Sequence, residues 1–258
     1  MDKLELLRQN LSQYARLCVC FSGGVDSTLL LRVAHDALGD NAFAILADTV
    51  FIPRREVEEA TALARTIGAE CRVLILNALG PEQVRYNDKR RCYYCKRNIF
   101  TAIQAKALEL GATAVADGQN CDDALVYRPG SQAASELGVV SPLAEAGLTK
   151  ADIRRYSQEL GLPTWNKPAY ACLASRLPYD TEVTPQALGM IEQAEILLHD
   201  RGFLNVRARL HGDLLRVEAP PVDFAGILNA DIIAGLKNIG FRYVTLDMEG
   251  FRSGSMDS

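Results

Sequence analysis

No stretch of this chain is long and apolar enough to span a bilayer, and nothing in it is a DNA- or RNA-binding motif, an internal repeat or a low-complexity tract. A large excess of charge of one sign is also missing. The formal net charge is −4, with 28 Lys and Arg against 32 Asp and Glu, which argues against a large nucleic-acid surface. The opening MDKLELLRQNLSQYARL is amphipathic, with Leu4, Leu7, Leu11, Tyr14 and Leu17 on one stripe, and is unlike a secretory signal. Seven cysteines are an odd number, and with no export signal expected a disulfide framework is not expected either. Their roles are then thiol, metal ligand or catalytic sulfur, and the expected compartment is the cytoplasm. With 48% hydrophobic and 23% charged residues, the 258-residue chain has the composition of a globular protein of one to two domains; two are expected.

What is present begins with CVCFSGGVDSTLLLRVAH, residues 18–35. A short apolar run breaks at Ser22-Gly23-Gly24-Val25-Asp26-Ser27 and resumes with helical spacing at Leu29, Leu30, Val33 and Ala34. Two glycines after a buried strand let the backbone turn tightly and approach a ligand, while Ser22, Ser27 and the first amides of the helix supply donors for an anion. Asp26 is the odd member. A carboxylate beside phosphates is repelled unless a divalent cation lies between, so its presence points to a magnesium nucleotide. The competing reading is a strand-to-helix turn in which Asp26 or Ser27 is an N-cap. No G-x-x-x-x-G-K-[ST] loop occurs. SGGxDS in this setting resembles the loop of the PP-loop ATP pyrophosphatases, and the resemblance implies cleavage between the α and β phosphates of ATP.

Strands and helices then alternate. Ala42–Thr49 reads as a second buried strand, 54–68 as a helix, Cys71–Leu76 as a third strand, 97–111 as a helix and Thr113–Gly118 as a fourth strand. This rhythm predicts an α/β fold, a doubly wound parallel sheet of the PP-loop (adenine nucleotide alpha hydrolase-like) type. Ligands gather beyond the carboxyl ends of such strands, where Ser22, Asp48 and Asp117 fall. From Asp122 to Trp165 the chain is loop-rich around Arg128-Pro129-Gly130 and Ser141-Pro142, with a helix over Lys150–Leu160 opened by Thr149. PYDTEVTP, 178–185, reads as a linker. Beyond it come a helix over 186–201, strands over 205–210 and 214–218, a helix over 222–237 and a strand over 243–246, a small α+β unit. The expected domains are 1–177 (PP-loop), 186–250 (substrate binding or oligomerisation) and a flexible 251–258 tail.

RRCYYCKR places Cys92 and Cys95 three residues apart, a chelate spacing used for zinc, iron–sulfur clusters and redox pairs. Arg90, Arg91, Lys96 and Arg97 flank the pair and could equally hold phosphate. The plain alternative is two cysteines packing at a helix start. In KPAYACLASR, Cys172 sits in a polar, proline-marked loop and is a candidate sulfur donor or ligand. Cys18, Cys20 and Cys71 lie in apolar strands and read as core, while Cys121, beside Asp122 and Asp123, is ambiguous.

SGGVDS, RCYYCK, DGQNCDD, YRPG, SPLAEAGLTK, KPAYACLASR and TLDMEGFRSGSM together resemble, along essentially the whole chain, the LarE family of PP-loop sulfur transferases. The resemblance implies a small-molecule substrate, pyridinium-3,5-biscarboxylic acid mononucleotide. A carboxylate of it is adenylylated with ATP and Mg2+, and AMP is then replaced by sulfur on the way to the nickel-pincer nucleotide of lactate racemase. Two sulfur sources occur in such a family. Cys172 can surrender its own sulfur once, or Cys92, Cys95 and Cys172 can hold a 4Fe-4S cluster that leaves one iron without a protein ligand for exchangeable sulfide. The thiol pattern favours the second.

By position in such a fold, Ser22, Gly23, Gly24, Asp26, Ser27 and Lys96 are expected near the phosphates, Asp48 near the adenosine and Asp117 at a metal or ribose. Ser175, Arg176, Arg207 and Arg209 are expected on the substrate, with Glu192 or Glu195 and Glu218 as further contacts. Arg207 and Arg209 alternate along VRARL and so share one face. The resemblance further implies a homo-oligomer, trimer-based or hexameric, a sulfur donor and other nickel-pincer biosynthesis proteins as partners. Competing readings are a tRNA-thiolating or NAD synthetase-type PP-loop enzyme, and a non-catalytic zinc or iron–sulfur module.

Overall fold

The structure is a computed structural model that describes residues 2–125, 129–168, 172–252 and 255–256. Tyr127 and Arg128 of the YRPG motif, Ala169, Tyr170 and Ala171 of the KPAYAC motif, and Ser253, Gly254, Asp257 and Ser258 of the expected tail lie outside the described residues. In chain order the elements are α1 (Lys3–Leu11), β1 (Leu17–Phe21), α2 (Val25–Leu38), β2 (Ala42–Asp48), α3 (Arg54–Ile67), β3 (Glu70–Ile75), α4 (Glu82–Arg85), α5 (Arg91–Glu109), β4 (Ala114–Ala116), α6 (Pro129–Glu136), α7 (Pro142–Glu145), α8 (Lys150–Glu159), α9 (Pro185–Asp200), β5 (Arg207–His211), β6 (Leu214–Glu218), α10 (Phe224–Ile227), α11 (Ala230–Ile239) and β7 (Tyr243–Leu246). They form two compact units: 1–81 with 90–170, and 82–89 with 171–258.

The first unit is a parallel sheet of order β3-β2-β1-β4 flanked by helices, as the strand–helix rhythm predicts. β1 and β2 are buried on both faces, and their side chains divide by alternation. Leu17, Val19, Phe21, Ala42, Ala44 and Leu46 enter a core with apolar residues of α1, α2, α3 and α8. Cys18, Phe43, Ile45 and Ala47 enter a second core with Phe100, Ile103 and Ala107 of α5 and Ala134 of α6. Cys18 is thus a core residue, its thiol pushed up to about 12 by burial, and burial pushes Cys71 up to about 11. β4 lies on the opposite side of β1 from β2 and β3, so the strand order reverses beside the end of β1.

The helices depart from expectation in several places: α6 and α7 occupy part of the stretch expected to be loop-rich, and two further helices differ in their bounds. α5 starts at Arg91, six residues before the predicted helix, so Cys92 and Cys95 lie in its first turn. The paired rings and cations of Arg90 to Arg97 suppressed an apolar period there, yet Tyr93 is 7% exposed and supplies the inward contact. The predicted 222–237 helix is broken into a short turn, α10 and α11, because Asn229 interrupts it and caps α11 by accepting the Asp231 N–H at 2.8 Å.

The second unit has a mixed sheet of order β5-β6-β7, antiparallel between β5 and β6 and parallel between β6 and β7. The segment 82–89 joins it: Arg85 accepts the Val183 N–H at 2.7 Å, and Asn87 donates to the carbonyls of Leu177 and Pro178 at 3.0 and 2.7 Å.

α8 opens on a capping box in which Thr149 Oγ1 accepts the Asp152 N–H at 3.2 Å and Asp152 Oδ2 accepts the Thr149 N–H at 3.1 Å. The Asp152 carboxyl is held well below its ordinary value, first by Lys3 and then by Thr149. Stability from that carboxylate is therefore fully present above its unfolded value and is lost as pH falls through the lowered folded one. Thr149→Ala should cost about 1 kcal/mol in urea unfolding at neutral pH, with the difference from wild type shrinking as acid titrates Asp152.

Candidate functional site

β1 ends at Phe21 and α2 begins at Val25, so Ser22, Gly23 and Gly24 make the turn. Gly23 has φ +67°, and a Cβ placed on it would stand 2.7 Å from Cβ of Ala60 in α3. Only glycine meets both conditions. The turn is closed by its serines. Ser27 Oγ accepts the Ser22 N–H at 3.2 Å, lies 3.1 Å from Ser22 Oγ and donates to the Gly24 carbonyl at 3.3 Å. The fourteen-residue α2 thus starts at a concave turn lined by N–H and O–H groups, the arrangement that accepts a phosphate.

Asp26, in the first turn of α2, accepts from Lys150 Nζ at 2.5 Å and from Asn120 Nδ2 at 3.3 Å. The sequence alone points to neither partner, although Lys150 opens the predicted 150–160 helix and Asn120 lies in the DGQNCDD run. Their spacing from Asp26, 124 and 94 residues along the chain, left no local signal. Lys150 is held by its own backbone, whose N–H donates to Asp122 Oδ2 at 2.8 Å. One cation thus faces the carboxylate of the loop.

Asp117 follows β4 and is 5% exposed. It accepts from Ser141 Oγ at 2.8 Å and from the N–H and side-chain amide of Gln119 at 3.1 and 2.5 Å, so its carboxylate is engaged in holding the turn. The next residue, Gly118, runs against α2: a Cβ there would stand 3.0 Å from the Ser27 nitrogen. Asp48, at the end of β2, is paired through both oxygens to Arg54, at 2.7 Å on one side, and Arg54 also donates to the carbonyls of Thr49 and Ile52 at 3.0 and 3.1 Å. The structure therefore gathers Ser22, Gly23, Gly24, Asp26 and Ser27 at the end of β1, with Asp48 and Asp117 at the ends of its two neighbours. Lys96 lies one turn into α5 with Nζ 5.3 Å from the Phe100 ring centre, and its charge acts on the Cys20 thiol, which burial pushes well up.

Cys92 is exposed and Cys95 half-buried, and none of the seven cysteines is in a disulfide. Around them, Arg90 lies over the rings of Tyr93 and Tyr94 at 5.4 and 5.6 Å, and the Tyr93 hydroxyl donates to Glu136 at 2.6 Å. Among the described residues, no group of three or more His, Cys, Asp or Glu side chains is arranged to hold a metal ion.

In the second unit, the exposed Cys172 precedes a turn of 3-10 helix over Leu173–Arg176. Arg176 is fully buried. Its Nε and Nη2 donate to Glu195 at 2.8 and 3.2 Å, while Nη1 donates to the Cys172 carbonyl at 3.3 Å and Ser175 Oγ at 2.9 Å. Glu195, 2% exposed, also accepts the Ala208 N–H of β5 at 3.1 Å. A guanidinium so engaged holds the Cys172 turn against α9 and β5. A second buried pair lies on the sheet: Arg209 donates to Glu218 Oε2 from Nε and Nη2 at 3.0 and 2.8 Å, and to the Ser175 carbonyl at 2.8 Å. Arg207 and Arg209 share a face, with Ala208 buried on the other. Arg216, opposite Arg209, donates to Glu218 Oε1 at 3.0 Å. At the end of β5, burial lowers the pKa of His211, and the charges of Arg216 and Arg209 lower it further.

A parallel α/β sheet whose central strand ends in a two-glycine, two-serine turn at a helix N-terminus, with an aspartate in the first turn, defines the PP-loop class of ATP-using enzymes. Residues 3–89 match the NAD synthase family model. Over 96% of its length the chain is 40% identical to the pyridinium-3,5-bisthiocarboxylic acid mononucleotide synthase of Lactiplantibacillus plantarum, covering 91% of that protein. It is 42% identical over 99% of its length to an uncharacterized Synechocystis protein, of which it covers 97%. The NH(3)-dependent NAD(+) synthetase of Aeropyrum pernix is more distant, 26% identical over 72% of this chain and 66% of that one. The chain belongs to the LarE family of PP-loop enzymes. It is an ATP-dependent enzyme, and ATP and Mg2+ are the cofactors its class uses.

Gly23→Ala should weaken ATP binding by about tenfold or more, measured by calorimetry, since a left-handed alanine costs about 1–2 kcal/mol before its clash with Ala60 is counted. Arg176→Ala leaves Glu195 buried without its counter-ion and should lower unfolding stability by about 3–5 kcal/mol, read from chemical denaturation.

Proposed function

We propose that this enzyme adenylylates a carboxylate of pyridinium-3,5-biscarboxylic acid mononucleotide and replaces AMP with sulfur, in the synthesis of the nickel-pincer nucleotide. One observation carries the reading: a phosphate loop with an aspartate–lysine pair stands in a chain that follows the Lactiplantibacillus plantarum synthase over 96% of its length. The NAD synthase match stops at residue 89, whereas the likeness to the synthase runs on through both thiol-bearing segments.

A carboxylate oxygen is a poor leaving group. Attack of that oxygen on the α-phosphorus of ATP forms an acyl phosphate and expels pyrophosphate, after which a sulfur nucleophile attacks the acyl carbon and AMP departs with the electron pair. The turn of Ser22, Gly23, Gly24 and Ser27 binds the departing phosphates through N–H and O–H donors at the start of α2. Lys150 Nζ, 2.5 Å from Asp26, is the cation that would reach a phosphate oxygen of ATP, and Asp26 is the residue that would hold Mg2+. Partly exposed and already facing a cation, Asp26 fits Mg2+, which when bound neutralises phosphate charge.

For the sulfur, we assign Cys92, Cys95 and Cys172 as ligands of a 4Fe-4S cluster. Thiols at i and i+3 in the first turn of α5 are a fitting pair, and a third thiolate leaves one iron open. A cluster so held would supply exchangeable sulfide. Arg176 is a positioning residue for the Cys172 turn, and Arg207 and Arg209, with Ser175, lie on the face assigned to the substrate phosphate. The unit carrying these arginines is assigned to substrate binding and to assembly of a homo-oligomer.

Asp26→Asn should abolish substrate-dependent pyrophosphate release, and Cys92→Ser should spare it while limiting thiocarboxylate formation to one turnover or none. Multiple turnovers by Cys92→Ser would overturn the cluster assignment. Mass spectrometry of Cys172 after reaction adds the other arm, because loss of one sulfur atom from the polypeptide would mean sacrificial transfer.

A further inference from the structure

The two members of the Asp26–Lys150 pair are held very differently. Gly118 runs so close to α2 that a Cβ on it would stand 3.3 Å from the Asp26 Cβ, and Asn120 Nδ2 donates to Asp26 Oδ1 at 3.3 Å. Asn120 is 4% exposed and is fastened in its turn. Its N–H donates to Asp123 Oδ2 at 3.1 Å, and its side-chain oxygen accepts the Asp122 N–H at 2.9 Å. The carboxylate is therefore fixed in direction. Lys150 is tied at its backbone, where the N–H meets Asp122 Oδ2, and from there a flexible four-carbon stem carries the ammonium to Asp26 Oδ2 at 2.5 Å. The side chains of Lys150 and Asp26 are 36% and 23% exposed, so a solute can reach the pair.

Asp26 stands in the first turn of α2 beside Ser27, whose hydroxyl closes the phosphate turn. Phosphates bound at the N–H and O–H groups of that turn bring negative charge toward a carboxylate that cannot swing away, and the like charges repel. A divalent cation between them is one remedy. Lys150 is a second, built into the chain. An ammonium has three N–H donors and no acceptor, so it can keep one on Asp26 and turn another to a phosphate oxygen. Both contacts are charge-assisted, and neither needs a metal.

We propose that Lys150 is the protein's own counter-ion for Asp26 and lets the phosphate turn hold a nucleoside triphosphate without a divalent cation. The proposal rests on the reading of this turn as the ATP phosphate site and of Asp26 as its metal-facing carboxylate. It adds that capture of the nucleotide is separable from metal binding, the metal being needed for reaction and not for capture.

The test uses the full chain and an ATP analogue with a methylene group between the α and β phosphates, titrated by calorimetry in EDTA and in Mg2+. The wild type should bind the analogue in EDTA within about tenfold of its affinity in Mg2+. Lys150→Met should lose at least about tenfold in EDTA, a loss at least about threefold greater than in Mg2+, and Lys150→Arg should keep most of the metal-free affinity. Adding Asp26→Asn to Lys150→Met should recover at least about threefold in EDTA, because no uncompensated carboxylate then faces the phosphates. No binding by the wild type in EDTA, equal losses in the two buffers, or no recovery by the double variant would overturn the counter-ion role. Gly23→Ala separates this from failure of the underlying reading. Weaker binding of the analogue by that variant keeps the turn as the phosphate site whatever Lys150 does, whereas unchanged binding in both buffers removes the site and the proposal with it.

Discussion

The first unit is organised around a contact with no room in it. Gly23 turns the chain out of β1 with its α-carbon against Ala60 of α3, and Gly118 brings the end of β4 against the backbone of Ser27. These two approaches pull the ends of neighbouring strands and the start of α2 into one place. The serines then close the turn through short-range hydrogen bonds, so that its donors are arranged before any ligand arrives. Preorganisation of this kind is what allows a loop to stabilise charge on a leaving group without rearranging.

The second unit solves a different problem, the burial of charge. Arg176 with Glu195 and Arg209 with Glu218 are almost wholly removed from water, and their desolvation is offset only because each carboxylate is also satisfied from elsewhere, Glu195 by the Ala208 N–H and Glu218 by Arg216 and Ser255. Such pairs fix geometry more than they add stability. They tie the Cys172 turn, α9 and β5 to one another, so the exposed thiol stands on a rigid base.

Much of this was legible in the sequence, and the limits have physical causes. The parallel sheet follows from apolar runs at β1 and β2 that lack alternation, and the phosphate loop from Gly-Gly between a strand and a helix. The start of α8 was visible in Thr149, whereas its reciprocal partner Asp152 emerged only in the structure. By contrast, the true start of α5 was hidden because cations and tyrosines occupy its first turn, and the break between α10 and α11 turned on Asn229 preferring to cap rather than continue a helix. The partners of Asp26 could not be read, since Lys150 and Asn120 reach it only through tertiary folding. The same holds for Arg176 and Glu195: the residue types hinted at ligand contacts, and burial showed that they hold each other.

The separation of the thiols between strand and helix start has a practical reach. Cys18, at about 12 and buried in the sheet, and Cys71, at about 11 and half-buried, stay protonated near neutrality, whereas Cys92 and Cys172 face solvent. Alkylating reagents and dissolved oxygen will therefore sort this molecule's sulfurs by location, sparing Cys18 in the scaffold while modifying the start of α5 and the Cys172 turn, and preparations handled in air will diverge chemically there while their secondary structure stays the same.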